Sequence, residues 1–532
     1  MTQLPRTSHR AVSAGLVVAA VGVAIGGLGF AGPARGVELV SVRAGSTLAA
    51  GGREAAISAN GRYVAFHSRD GNVVPGDRAS GDEVFLRDRV AGTTERVSVA
   101  LDGGEANCDS FGASISDDGR YVAYMSCATN LVPGQPDVWG WHTFVRDRLA
   151  GTTEIAAVGI YPRISGNGRY VTFEAAPVDR TNDACGIDCP DVYVLDRTTR
   201  IIEPISVVGG HSANDVSHAP DISRDGRYVV YWSAATDLVA GDTNGAIDIF
   251  LHDRQTGLTE RVSLGGDGQQ ANGPSIGRAA LSADGRYVAF VTNASNLVPG
   301  DRPYVNDVLV RDRWTGTTER ISVTTLEAPQ AVYHSTTSIS ADGRFVTFEA
   351  YDGDANSHLD VFVRDRYAGT TIRASAGANR PCQRAAISAD GRYVAFDTWA
   401  ANLVAEDTNI TTDVYLYDRG AQTQAPYTVT PSALDFQMQA VGTSTTKRFL
   451  LTNRSGAPLP ISSIALRGEA RGQFRLAHTC GSVVPTAGEC AIRVSFVPTS
   501  LGDKQASVRV VAGANVVRTR PVRGVAVAMT GP

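Results

Sequence analysis

Lysine is almost absent from this 532-residue chain. Only Lys447 and Lys504 occur, so Schiff-base chemistry is excluded from everything that precedes them. A basic stripe is lacking too. The arginines are spread and sit beside aspartates, and the formal charge is −5, which argues against a nucleic-acid partner. No long amphipathic helical period appears, whereas glycine is abundant at 56 residues. That excludes a helical bundle and points to an all-β chain rich in turns. After the first 35 residues no apolar run is long enough to span a membrane. His211, His218, His334 and His358 fit no metal motif. "CGIDC" at 185–189 has the wrong spacing for zinc, with no second cysteine pair and no histidine close by.

The N-terminus has what the rest lacks. Arg6 and Arg10 precede an apolar run from about Ala11 to Ala31, and Ala31 and Ala34 offer cleavage positions. Residues 1–34 therefore read as a signal peptide. The run is long enough that an uncleaved membrane anchor is the alternative. Either way the remainder is expected to be secreted or exposed in the cell envelope. Seven cysteines suit such an oxidising compartment.

The chain also repeats itself. "ISADGRYVAF" at 387–396 has near copies starting at 57, 115, 164, 222, 281 and 339. The glycines of the seven motifs are Gly61, Gly119, Gly168, Gly226, Gly285, Gly343 and Gly391, spaced by 58, 49, 58, 59, 58 and 48 residues. Such a period marks an array of supersecondary units. Each unit reads as four strands, as in "AAIS", "RYVAFHS", "EVFLRD" and "TTERVSV". The second is apolar on both faces, as a buried strand should be. The fourth alternates, as a half-exposed outer strand should. The Asp-Gly or Asn-Gly between the first two is a strong hairpin signal. Repeated four-stranded sheets are propeller blades. "VELVSV" at 37–42 has no blade of its own, and the last repeat lacks a good fourth strand. The expectation is an all-β fold: a seven-bladed β-propeller over 37–425, closed by the N-terminal strand so that no free edge remains.

The "ISADGRYVAF…DVFVRDR" pattern resembles the TolB-type β-propeller repeat, also called the WD-like or periplasmic repeat. The resemblance implies binding and scaffolding in the bacterial envelope; a few members are attached to serine peptidases. Residues 427–532 differ. Their short alternating strands read as a β-sandwich. They resemble the Ig-like domain of the ASPM–SPD-2–Hydin type found in bacterial choice-of-anchor proteins, through Leu434, Phe436, Gly442, Asn453, Phe474, Cys480, Cys490, Phe496, Pro498 and Gly502.

Repeated charges read as scaffold. The second and third strands run antiparallel, which brings Arg62 near Asp88, and likewise in the other six repeats. An Arg–Asp staple with the Asp capping its turn is expected. Taking the Asp-Gly edge as the bottom, segment lengths vary most at the top, where loops on a rigid frame carry function. There "QPDVWGWH" at 135–142 offers Trp139, Trp141 and His142 for stacking on a sugar or peptide; packing onto a neighbouring blade is the alternative. Cys185–Cys189 is expected to close a local loop, Cys108–Cys127 to bridge the top of the second blade, and Cys480–Cys490 to pair in the C-terminal domain. Cys382 is left over. Asp242, Asn244 and Asp248 in "GDTNGAID" offer oxygen ligands for calcium, with an Asx-rich turn as the alternative. "GPSIG" at 273–277 has the nucleophile-elbow string but no helix after it, and is rejected.

These readings converge on a non-enzymatic protein whose propeller engages a protein or cell-envelope glycan through its top face. An enzyme of lyase or glycosidase type at the channel, or a purely structural surface protein, are the alternatives. Clustered acids and a histidine around the channel would favour the enzyme.

Overall fold

The computed structural model describes residues 36–528, apart from 79–80, 136–139, 177–189, 325–328, 333–335, 352–357, 421–426, 431–433, 454–456, 487 and 514–515. The predicted signal segment, Trp139, Cys185 and Cys189 lie outside the described residues. Among the described residues no helix is long and apolar enough to cross a membrane.

The repeats form a β-propeller of four-stranded antiparallel sheets. The first sheet runs Arg53–Ile57, Tyr63–Ser68, Glu83–Asp88 and Thr93–Arg96 in spatial order. Six repeats each build one such sheet. In the last, Cys382–Ile387, Tyr393–Thr398 and Asp413–Asp418 are joined by Gly36–Leu39, with Gly36 opposite Asp418 and Leu39 opposite Tyr415. The N-terminal strand thus occupies the outer edge that the last repeat cannot fill. Apolar layers lie between successive sheets. Val64, Phe66 and Phe85 of the first sheet pack with Ala395, Val414 and Leu416 of the last, all fully buried.

The repeated motif is explained residue by residue. In the first copy, the Ser58 hydroxyl donates to Asn60 Oδ1 and accepts the Tyr63 N–H, while the Arg62 N–H donates to the same Asn60 oxygen. All seven copies make this turn, with Asp in place of Asn in five. Gly61 sits at φ 70°, and a Cβ there would lie 2.1 Å from the ring of Tyr393 in the neighbouring sheet. Arg62 forks onto Asp88 at 2.9 and 2.6 Å, and Asp88 accepts the N–H groups of Val90 and Ala91. This is the expected staple.

The following arginine does what the sequence did not announce. Arg89 lies 4.6 Å from the Tyr393 ring centroid, donates to the Gly61 carbonyl at 2.6 Å, and pairs with Glu38 at 2.7 Å. Arg148, Arg197, Arg254, Arg313 and Arg366 repeat the stack and the glutamate pair; Arg419 stacks on Phe345. Each aromatic ring is held by arginines from two sheets.

Residues 427–528 form two further sheets. One orders Tyr427–Thr430, Thr445–Asn453, Glu489–Phe496 and Phe474–His478; the other orders Leu434–Ala440, Val516–Val527, Gly502–Ala512, Leu459–Arg467 and Val483–Val484. Phe436, Phe474 and Phe496 meet in their shared core at centroid separations of 5.0–5.9 Å. Cys480–Cys490 and Cys108–Cys127 are disulfide-bonded, and Cys382 is buried and free.

Candidate functional site at the channel mouth

The innermost strands surround a central cavity of about 380 Å³. Its bottom is narrowed by backbone hydrogen bonds between sheets. The Ala59 N–H donates to the Asp117 carbonyl, Asp117 to Gly166, Asn167 to Arg224, Ala283 to Ala341, Ala341 to Ala389, and Ala389 back to Ala59. Arg224 also reaches from the fourth sheet to Asp117 of the second, donating at 2.7 Å. The residue before each Asp-Gly turn is mostly Ala or Gly because this ring leaves little room. Above it, burial pushes Asp221 up and Arg163 down from their ordinary values, each partly offset by the other's charge.

The top is built differently. Six innermost strands carry a bulge, with a residue in the left-handed region: Glu54, Gly112, Tyr161, Ala219, Gly277 and Arg384, at φ 51–82°. Bulges re-aim side chains and are common beside sites. Four of these residues are not glycine, and each carries strain of roughly 1 kcal/mol.

Against these bulges sit the fifth residues of the second strands, where the repeats disagree most: His67, Met125, Glu174, Trp232, Val291, Glu349 and Asp397. Several accept the bulge N–H of the next sheet. Glu174 accepts from Ala219 at 2.7 Å, Glu349 from Arg384 at 2.5 Å, Asp397 from Glu54 at 3.3 Å, and the Met125 sulfur from Tyr161 at 3.4 Å. The Arg384 guanidinium donates to Asp397 at 3.2 Å, and the Thr336 hydroxyl donates to Glu349 at 3.0 Å. Burial pushes the carboxyls of Glu349 and Asp397 up to about 7, and pushes the His67 imidazole down. His218 Nδ1 lies 2.8 Å from Glu174, and its ring meets Trp232 at a tilt, with centroids 4.5 Å apart. The mouth thus joins acids that titrate near neutrality to a carboxylate-oriented histidine, a combination suited to polar-ligand binding and to proton transfer.

Trp141 stands at the edge of this mouth. Its ring meets Phe111 edge-on at 4.9 Å, and Phe111 in turn faces His67 at 6.1 Å. His142 turns Nδ1 to the Gly140 carbonyl at 2.9 Å and opens the third strand of its sheet. Trp141 is thus packed in a chain of rings that runs through Phe111 of its own sheet to His67 of the first. Asp242, Asn244 and Asp248 do come together, but around a guanidinium. Arg261 pairs with Asp242 at 2.9 Å and reaches Asp248 at 3.5 Å, while the Asn244 amide donates to Asp248 at 2.8 Å. The oxygens offered to calcium are thus engaged by a built-in cation. Asp77, Glu83 and Glu105, the set of three ligating groups brought together among the described residues, are likewise centred on Arg96. Ser275 of "GPSIG" is a buried strand residue bonded to Thr292.

Sequence reasoning missed Glu174, Glu349, Arg384 and Asp397, and met His218 only as a loop histidine. The signal was present: across the seven second strands every position is aromatic, Val or a small residue except the fifth, which ranges over His, Met, Glu, Trp, Val and Asp.

No protein family matches the chain in sequence, and no curated relative matches it. Among solved structures it resembles an oligogalacturonate lyase in complex with manganese, at 12% identity and a TM-score of 0.45, over 73% of this chain and 97% of that one. It also resembles a putative TolB from Agrobacterium tumefaciens, at 16% identity and TM-score 0.33, over 56% and 94%. A third is a prolyl endopeptidase, at 10% identity and TM-score 0.44, over 78% and 55%. Likeness at this level assigns no residue a role. It does correct one expectation, that of a non-enzymatic protein: the solved structures it resembles include lyases and peptidases. The exclusion of catalysis is withdrawn.

Proposed function

We propose that the seven four-stranded sheets are the blades of one closed propeller, that the C-terminal sheets form an Ig-like sandwich, and that this exported protein engages a protein or cell-envelope glycan through the top of its propeller. The TolB-like repeat and the two disulfides support the envelope assignment. The observation that carries the binding site is the ring at the fifth position of the second strands. The repeat diverges most at this position, at the upper ends of the second strands, where the side chains are largely buried behind the bulged innermost strands that line the cavity. Uniform positions are accounted for by turn, staple and clamp, whereas the divergent ones hold the bulges that turn Glu54, Tyr161 and Arg384 toward the cavity, where a ligand would meet them.

A second reading, acid–base catalysis at the same mouth, is favoured by one feature: burial pushes the Glu349 and Asp397 carboxyls up to about 7. Co-sedimentation of the full chain with envelope fractions tests the binding reading. Wild type is expected in the pellet and Trp141→Ala in the supernatant. Equal pelleting of both would refute a site at this mouth. Release of soluble fragments from those fractions, abolished by Asp397→Asn, would mark the catalytic reading.

A further inference from the structure

One side of the mouth has a more specific chemistry. Glu174 is 2% exposed, and both of its oxygens are engaged, one by the Ala219 N–H and one by His218 Nδ1. A carboxylate can only accept, so Nδ1 carries a hydrogen, and in the neutral imidazole Nε2 then presents a lone pair. Nε2 has no hydrogen-bond partner among the described residues, and the His218 side chain is 29% exposed. Its ring is backed by Trp232, so it cannot turn freely. On the adjacent innermost strand stands Tyr161. It is 47% exposed, lines the cavity, and holds φ 51° where two other blades have glycine. A strained aromatic presented to solvent at a cavity mouth contributes little to packing and marks a function.

We propose that Tyr161 and His218, with Glu174 as the positioning residue, form a subsite for a neutral sugar ring. One hydroxyl donates to His218 Nε2, and the apolar face of the ring rests on Tyr161. An aromatic face beside a fixed acceptor is what a pyranose requires, being apolar on its faces and rich in donors at its rim. A cationic ligand fits less well, because the Glu174 oxygens are already taken and Arg163 lies on the same strand as Tyr161. The inference rests on the top-face reading and makes it narrower.

The test is saturation-transfer NMR on the full chain with glucose, galactose, mannose, N-acetylglucosamine and glucosamine. Saturation of at least one neutral sugar is expected, lost in Tyr161→Ala and in His218→Ala. Glu174→Gln supplies a readout that a structural role would not move. The glutamine amide donates to Nδ1, shifts the hydrogen to Nε2 and removes the acceptor. The tautomer change is read by ¹⁵N shifts of labelled histidine, and sugar affinity should fall about tenfold, the loss of one hydrogen bond. Silence of every sugar overturns the inference, as does saturation unchanged in the variants or confined to glucosamine. If wild type pellets with envelopes while the sugars stay silent, the top-face reading stands and the sugar subsite falls.

Discussion

Replacing Asp397 by Asn should make the propeller relatively more stable as pH rises. Asp397 is fully buried, and its carboxyl is pushed up to about 7 because desolvation outweighs its contact with Arg384. The folded pKa lies above the ordinary aspartate value near 3.9. The stability linked to this group is therefore complete below about pH 4 and is lost as pH rises through 7. Three pH units at 1.36 kcal/mol each give a loss of about 4 kcal/mol, an upper value. Asn cannot ionise and is free of this loss. The stability difference, Asp397→Asn minus wild type, should climb by up to ~4 kcal/mol between pH 4 and 8.5. Glu83 and Asp413, also pushed up to about 7, are shared by both proteins and cancel. All five tryptophans lie in the repeats, so urea unfolding followed by their fluorescence reports the propeller alone. A difference that stays flat or falls with pH would show Asp397 ionised and held by Arg384, and would refute the reasoning.

Other perturbations test the frame. Gly61→Ala forces a Cβ against Tyr393 from a left-handed position. Strain and overpacking together should cost on the order of 3 kcal/mol, seen as a lower urea midpoint. EDTA should leave the melting temperature unchanged, because Arg261 already neutralises Asp242 and Asp248. Arg261→Met should lower it by stranding two buried carboxylates, at roughly 3 kcal/mol. Reducing Cys480–Cys490 opens a loop with a sequence separation of 10 and should destabilise the C-terminal domain by ~2–3 kcal/mol, with no change in the tryptophan-reported transition.

The repeat period and the unpaired strand at 37–42 were enough to anticipate the sheets and the closing strand, because hairpin turns and alternation are local properties. The Arg62–Asp88 staple was also readable, since antiparallel pairing fixes which residues face each other. The Arg89–Tyr393–Gly61 clamp was not, because it joins residues more than 300 positions apart in different sheets. The mouth was hidden for a related reason. Glu174 and His218 lie in separate repeats and become a pair only when a bulge at Ala219 turns one strand toward the next. Trp141 stood out by composition; that its ring packs edge-on against Phe111 could not be read there. The calcium expectation rested on the oxygen ligands of one loop; Arg261, which pairs with two of those residues, arrives from the outer strand of the same sheet and is not visible in the loop's own sequence.

The central claim is that function resides at the upper mouth of the channel and not on the uniform lower face. Trp399 follows Asp397 on the mouth side and is 45% exposed; Trp314 lies in a lower turn and is 67% exposed. Envelope co-sedimentation of Trp399→Ala beside Trp314→Ala compares the two faces with the same substitution. The account predicts that Trp399→Ala loses binding while Trp314→Ala retains it. The reverse pattern would contradict it.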